Sequence, residues 1–165
     1  MKNLLFVLGI VIIGLTSNFL QAQWVQKSNG IGNNFLIMSL ASSGNYVYAG
    51  VAVDISLSGD GVYVSTDNGE SWTSPYTETG LRSEPYALAA NGNYVYAGTN
   101  SGLWVSSDNG RSWLQKLSTN SVCALTICGS YVFTNSFSGV YRCANNEIDV
   151  ADCPINIDSS YVAGL

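Results

Sequence analysis

Two stretches of the chain read almost alike: "GVYVSTDNGESW" from Gly61 to Trp72 and "GLWVSSDNGRSW" from Gly102 to Trp113. The likeness extends outward in both directions. "MSLASSGNYVYAG" (Met38 to Gly50) precedes the first stretch and "YALAANGNYVYAGTNSG" (Tyr86 to Gly102) the second, and "VCALTICGSYVFTNSFSGVYR" (Val122 to Arg142) follows. Three copies of one module emerge, each an apolar strand, a Gly turn, a Tyr-Val-Tyr or Tyr-Val-Phe strand, another turn and a third strand. The aligned Tyr-Val pairs begin at residues 46, 94 and 131, spacings of 48 and 37 residues. A period of that size marks units that stack on one another.

The middle module shows why each piece folds as it does. "YALAA" and "NYVYAG" are short apolar runs joined through Asn91-Gly92, a strong hairpin signal. "TNSG" turns the chain again, "GLWVSS" makes a third strand, "DNG" the next turn, and "SWLQKL" a fourth strand. In the second strand Tyr94 and Tyr96 point to one side and Val95 and Ala97 to the other, so both faces are apolar. A strand apolar on both faces needs packing partners on both sides. Antiparallel sheets stacked face to face around a ring satisfy that demand, and the expected fold is all-β, a β-propeller-like stack of four-stranded antiparallel blades.

The phrases "STDNGESW" and "SSDNGRSW" resemble the Asp-box, the Ser-x-Asp-x-Gly-x-x-Trp motif of the BNR-like repeat propellers found in sialidases, sortilin-type receptors and some glycoside hydrolases. The matching positions are Ser65, Asp67, Gly69 and Trp72, and Ser106, Asp108, Gly110 and Trp113. A short carboxylate at Asp67 or Asp108 can accept hydrogen bonds from turn amides. Gly69 and Gly110 can take the positive φ of such a turn, and each Trp can bury its ring against the hairpin. The resemblance implies that these residues are structural and lie away from a substrate face. It covers about Trp24 to Arg142.

The chain also departs from the pattern. After "GVYR" the third module continues as "CANNEIDVADC", with Asn145, Glu147 and Val150 where Asp, Gly and Trp belong. "PINIDSSYVAGL" shows no fourth module, and Trp24 is placed to close an earlier or a last blade. Three modules fall short of the smallest rings, which have about four blades. An incomplete propeller accounts for this, as a truncated or frame-shifted gene or a fragment of a longer protein. The alternative is association of copies to complete a ring. The expected organisation is a signal peptide at 1–22, blades at 24–72, 73–113 and 114–142 within a repeat region 23–142, and a degenerate or truncated segment at 143–165.

The signal peptide is read from Lys2, the apolar run Leu4 to Leu15 and a small residue, Ala22, at the cleavage point. That run is too short for a comfortable membrane span, and no Cys follows it to carry a lipid, so the expected location is secreted or cell-envelope, with no stable membrane span in the mature chain. Loss of Lys2 takes the formal charge from −5 to −6. So acidic a surface offers no footprint for phosphate backbones, which excludes nucleic acid as an expected partner. The four cysteines, Cys123, Cys128, Cys143 and Cys153, fall in the last third. Export permits disulfides, and three pairings exist. Cys123 and Cys128, an odd number apart on an apparent strand, are not expected to pair with each other. A zinc site of all four is disfavoured because no C-x2-C pair is present.

The remaining chemistry is sparse. The chain has no histidine, which rules out Ser-His-Asp and Cys-His nucleophile systems and His-ligated metals. No phosphate-cradling or dinucleotide fingerprint occurs. Sialidase chemistry, as the resemblance would have it, needs an arginine cluster, a Tyr/Glu pair and an acid; the arginines here are Arg82, Arg111 and Arg142, with Arg111 inside a box turn. A glycosidase pair could be drawn from Asp54, Asp60, Glu78 and Glu84, for which solvated loop acids are the plainer account. "DISLSGDG" (Asp54 to Gly61) echoes the start of a calcium loop, yet its twelfth position is Ser65 rather than Glu. No catalytic, metal or cofactor-binding residue is therefore named and no cofactor is expected. The expected function is an exported, non-enzymatic scaffold for interaction or adhesion with a protein or glycan. The alternative is the N-terminal piece of a secreted, glycan-active hydrolase.

Overall fold

The computed structural model describes residues 24–32, 35–53, 61–74, 81, 83–118, 121–136 and 139–144. The expected signal peptide, the loop acids Asp54, Asp60 and Glu78, Arg82, the degenerate tail from Asn145 and Cys153 lie outside this set.

The described chain is all-β. It runs β1 (Phe35–Ser43), β2 (Tyr46–Val53), β3 (Gly61–Ser65), β4 (Pro85–Asn91), β5 (Tyr94–Thr99), β6 (Gly102–Ser106), β7 (Leu114–Ser118), β8 (Leu125–Cys128), β9 (Tyr131–Ser136) and β10 (Gly139–Ala144). These form three antiparallel meanders, β1-β2-β3, β4-β5-β6-β7 and β8-β9-β10. The three tight turns at Gly44, Gly92 and Gly129 repeat one geometry, with φ of 58°, 59° and 58°. The left-handed conformation is the one a two-residue hairpin requires, and glycine adopts it without steric cost.

Only the middle sheet has four strands among the described residues. In the first sheet the fourth strand shrinks to one bridge, Val64 to Thr73. Pro75 follows two residues later in the sequence and has no N–H to extend a ladder. The second sheet runs on to Ser118, past the boundary expected at Trp113, because Leu114–Ser118 pairs back onto β6. Cys128 closes β8, but Cys123 precedes that strand rather than lying on it. Both are exposed free thiols, while Cys143 is disulfide-bonded.

The sheets stack in chain order, and alternation decides which face meets which neighbour. Tyr48 of β2 packs with Leu88, Val95 and Ala97 of the second sheet. Tyr96 of β5 packs with Val132 of the third, and Leu125 and Ile127 lie against that cluster. Each Tyr face thus carries the next sheet and each Val face the previous one. Full burial of one Val or Leu is worth about 1.5–3 kcal/mol, so each join rests on several such residues.

Glycine sets how closely the sheets meet. A Cβ on Gly50 would fall 2.7 Å from the Pro85 carbonyl oxygen, and one on Gly98 would fall 2.6 Å from that of Val122. The "YVYAG" phrase therefore ends in Gly wherever the next sheet's inner strand passes. Among the described residues no sheet precedes the Val face of the first sheet. There Ile31, at the end of a strap of residues 24–31, packs with Trp72 against Ala49, Val51 and Tyr63.

Candidate functional site: the repeated aspartate turns

The turns after β3 and β6 are the elements the sequence repeats most faithfully, and their geometry is the same. Ser65 ends β3 with its side chain buried. Its Oγ donates to Asp67 Oδ1 at 2.7 Å and accepts the Gly69 N–H at 2.8 Å. Asp67 Oδ1 also accepts the Ser71 N–H at 2.9 Å, and Oδ2 accepts the Ser71 hydroxyl. In the second turn Ser106 Oγ donates to Asp108 Oδ1 at 2.7 Å and accepts the Gly110 N–H at 2.8 Å. Asp108 Oδ1 accepts the Ser112 N–H at 2.8 Å and Oδ2 accepts the Ser112 hydroxyl at 2.6 Å.

The backbone winds left-handed at two successive residues. Gly69 and Gly110 both sit at φ 85°, as a turn of this kind requires, and Asn68 and Asn109 both sit at φ 60°. Asparagine tolerates that region better than other residues with a Cβ. Asn68, Asn109, Ser71 and Ser112 are absent from the residues expected to build the site. The signal for them was present: both positions are identical between the two copies.

Trp72 and Trp113 are buried, but their indoles are held differently. Trp113 Nε1–H donates to the Gly110 carbonyl at 3.0 Å, closing its own turn. Trp72 Nε1–H donates to the Lys27 carbonyl at 3.0 Å, and the Trp72 N–H to the Asn29 carbonyl at 2.8 Å, so the first turn is tied to the strap. Lys27 also pairs with Glu70 at 2.6 Å; with both side chains exposed, that pair adds little. The second turn rests on the first sheet instead, with Gly110 beside Val64 and Tyr48.

Electrostatics follow from these bonds. The Ser71 hydroxyl, the Ser71 N–H and the Ser65 hydroxyl draw the Asp67 carboxyl down to about 2. Burial acts to raise Asp108, but its bonds from Ser112 and Ser106 and from the Arg111 backbone outweigh burial and the group is lowered. A carboxylate with both oxygens occupied and a depressed pKa is a poor proton acceptor and a poor nucleophile. What the arrangement does is lock a turn.

The opposite end of the middle sheet is amide- and hydroxyl-rich. Ser83 Oγ donates to Asn100 Oδ1 at 2.8 Å, Gln115 Nε2 to the Ser101 carbonyl at 2.7 Å, and the half-buried Trp104 reaches Ser101 Oγ at 3.4 Å. Glu84 there accepts the Tyr86 hydroxyl at 2.7 Å. Arg111 is exposed on the second turn, and the Arg142 guanidinium lies 4.6 Å from the Tyr131 ring centroid on the third sheet. Among the described residues no three His, Cys, Asp or Glu side chains gather as a metal site, and no helix is long and apolar enough to cross a membrane.

No family model matches the chain, and no curated protein does. Solved structures do. The computationally designed protein Ika4 superposes with a TM-score of 0.54 at 21% identity, over 74% of this chain and 74% of that one. The designed protein Ika8 gives 0.52 at 21% identity, over 72% of this chain. This chain spans 36% of the length of Ika8. A GH74 enzyme of Niastella koreensis gives 0.48 at 19% identity, over 66% of this chain and 21% of that one. At these identities the likeness is one of fold, and the designed proteins carry it. The fold that this chain shares with them is the β-propeller.

Proposed function

We propose that the chain is an exported β-propeller segment of the Asp-box type that serves as a non-enzymatic interaction or adhesion scaffold for a protein or glycan. One observation carries the reading: every described carboxylate is already engaged. The described acids are Asp67, Glu70, Glu84 and Asp108. Asp67 and Asp108 hold their turns, Glu70 pairs with Lys27 and Glu84 accepts the Tyr86 hydroxyl. Glycoside hydrolysis asks for two carboxyl groups facing each other across the scissile bond, one of them able to give up or accept a proton. The amide-rich end around Asn100, Ser101 and Gln115 suits hydrogen bonding to a ligand without chemistry. The near-identical bonding of the two turns supports the Asp-box assignment.

The test is paired. Protein recovered from the medium or envelope of the producing cell is N-terminally sequenced and incubated with a panel of insoluble and soluble polysaccharides. A mature start near Gln23, retention on a glycan or envelope fraction, and no release of reducing ends are expected. Reducing sugar released above the level of an Asn100→Ala, Gln115→Ala control would overturn the scaffold reading.

A further inference from the structure

The repeat places each position in three environments, and one set of equivalents is covered unequally. Leu40, Leu88 and Leu125 occupy the same place, opposite Ala49, Ala97 and Thr134 on the next strand. Leu88 is 8% exposed beneath the first sheet, and Leu125 packs toward the second, but Leu40 is 65% exposed. Ile37, Pro85 and Val122 repeat the pattern, the last two buried and Ile37 exposed. The inner half of the first sheet's Val face is built like a join between sheets, with no sheet on it among the described residues.

The third sheet is open in the complementary way. It has three strands where the middle sheet has four, leaving β10 as an edge strand among the described residues. Val140 on that strand is 72% exposed. Tyr131 and Phe133 stand where Tyr46 and Tyr48, or Tyr94 and Tyr96, support the following sheet.

The middle sheet shows what fits a fourth place. Its outer strand continues from Trp113 as Leu114-Gln115-Lys116, and the strap begins Trp24-Val25-Gln26-Lys27, the same order of ring, aliphatic, amide and cation. Trp24 and Val25 are exposed, whereas Trp113 is buried. The strap is already held, through Lys27 and Asn29, on the side of the first sheet from which a preceding sheet would come. We propose that the third sheet of a second copy occupies that place. Its β10 edge takes Trp24–Lys27 as a fourth strand, and its Tyr131 and Phe133 face meets Ile37 and Leu40. Two copies joined head to tail in this way close a ring of six sheets, twice the three formed by the described residues of one chain, within the size range of closed propellers. A join between different surfaces that closes on itself yields a finite ring rather than a fibre, and it covers an edge that would otherwise invite disordered pairing.

The join differs from the internal ones at one point. Asn135 stands where Gly50 and Gly98 do, with its Oδ1 accepting the N–H groups of Cys123 and Ala124 at 3.0 and 2.7 Å. The close backbone approach made at the two glycines therefore has no counterpart, and the join rests on the β10 edge and apolar contact. The inference concerns assembly and goes beyond the scaffold reading, which the glycan assay decides separately.

Sedimentation equilibrium of the full chain at low to high micromolar concentration reads the assembly, and a dimer is expected. Val25→Pro removes an N–H from the added strand without touching the three sheets, and Val140→Lys charges the β10 edge. Each variant alone should be monomeric, with the β-sheet circular dichroism of the unaltered chain and a melting temperature that no longer rises with protein concentration. An equal mixture should regain dimer, because the strap of the Val140→Lys copy meets the intact edge of the Val25→Pro copy. A monomeric unaltered chain overturns the proposal, whether the edge is then covered by the chain's own C-terminal residues or by nothing. A dimer indifferent to Val25→Pro overturns it as well.

Discussion

Gly98→Ala tests the account of how the sheets are joined. The new Cβ would lie 2.4 Å from Val122 Cγ1 and 2.6 Å from the Val122 carbonyl oxygen. Carbon atoms at rest sit about 3.5–4.0 Å apart, so the third sheet must retreat by about 1 Å. Overpacking of this kind costs about 1–3 kcal/mol, occasionally more. A gap of about 1 Å also forfeits up to half of the dispersion attraction where it opens, here around Val132, Leu125 and Ile127. The side-chain clash could be relieved by rotation of Val122, but the carbonyl cannot yield without moving its strand. We therefore expect a loss of about 3 kcal/mol, read as a fall in melting temperature of about 10 °C. Val122→Ala in the same background should restore little, since the carbonyl contact persists. A loss below about 0.5 kcal/mol, the range of ordinary surface substitutions, would refute the claim that Gly98 is required by the approach of the next sheet.

Three further outcomes follow from the packing and the turns. Leu88→Ala should cost about 2–5 kcal/mol in urea unfolding, while Leu40→Ala, its repeat equivalent, should stay within about 0.5 kcal/mol in the monomer; equal losses would contradict the exposure difference between them. Asp108→Ala should cost about 1–2 kcal/mol by analogy with capping carboxylates, and Ser112→Ala should lose part of the same stability non-additively, measured by a double-mutant cycle. Because Asp67 is lowered from its ordinary 3.8 to about 2, its contribution is present above about pH 4 and is lost as pH falls through about 2. Tyr48 and Tyr96 are pushed up to about 12 by burial, with Tyr46 and Tyr94 adding to the shift. Their contribution is present below pH 10 and is lost as pH rises through about 12. Melts at pH 5 and 2.5, and at 9 and 12, check both limbs.

Much of this architecture was legible because it is local and repeated. The Gly turns, the Tyr-Val-Tyr strands and the two aspartate turns each carry their reason within a few residues. Face assignment was equally readable: Val95 and Ala97 meet one neighbour and Tyr96 the other, as simple alternation predicts. Contacts made at long range were not readable. That Trp72 would donate to Lys27, 45 residues earlier, depends on where the strap lies, and no local pattern states it. Among the described residues the fourth strand of the first sheet is only the Val64–Thr73 bridge, and "SWTSP" places Pro75 where "SWLQK" places Lys116. Asn68 and Ser71 were given no role for a different reason: a motif written as Ser-x-Asp-x-Gly-x-x-Trp treats them as free positions, whereas the two copies in this chain agree there.

The Ser65 and Ser106 hydroxyls also bear on how the molecule ages. An asparagine followed by glycine is the sequence most prone to succinimide formation, in which the glycine nitrogen attacks the asparagine carboxamide and leaves aspartate or isoaspartate behind. At Asn68-Gly69 and Asn109-Gly110 that nitrogen points its hydrogen at a buried serine oxygen 2.8 Å away, and the turn must open before it can attack. The two bonds that fix the hairpins thus double as chemical preservation. In long storage, isoaspartate should accumulate at these sites only as fast as the turns unlock.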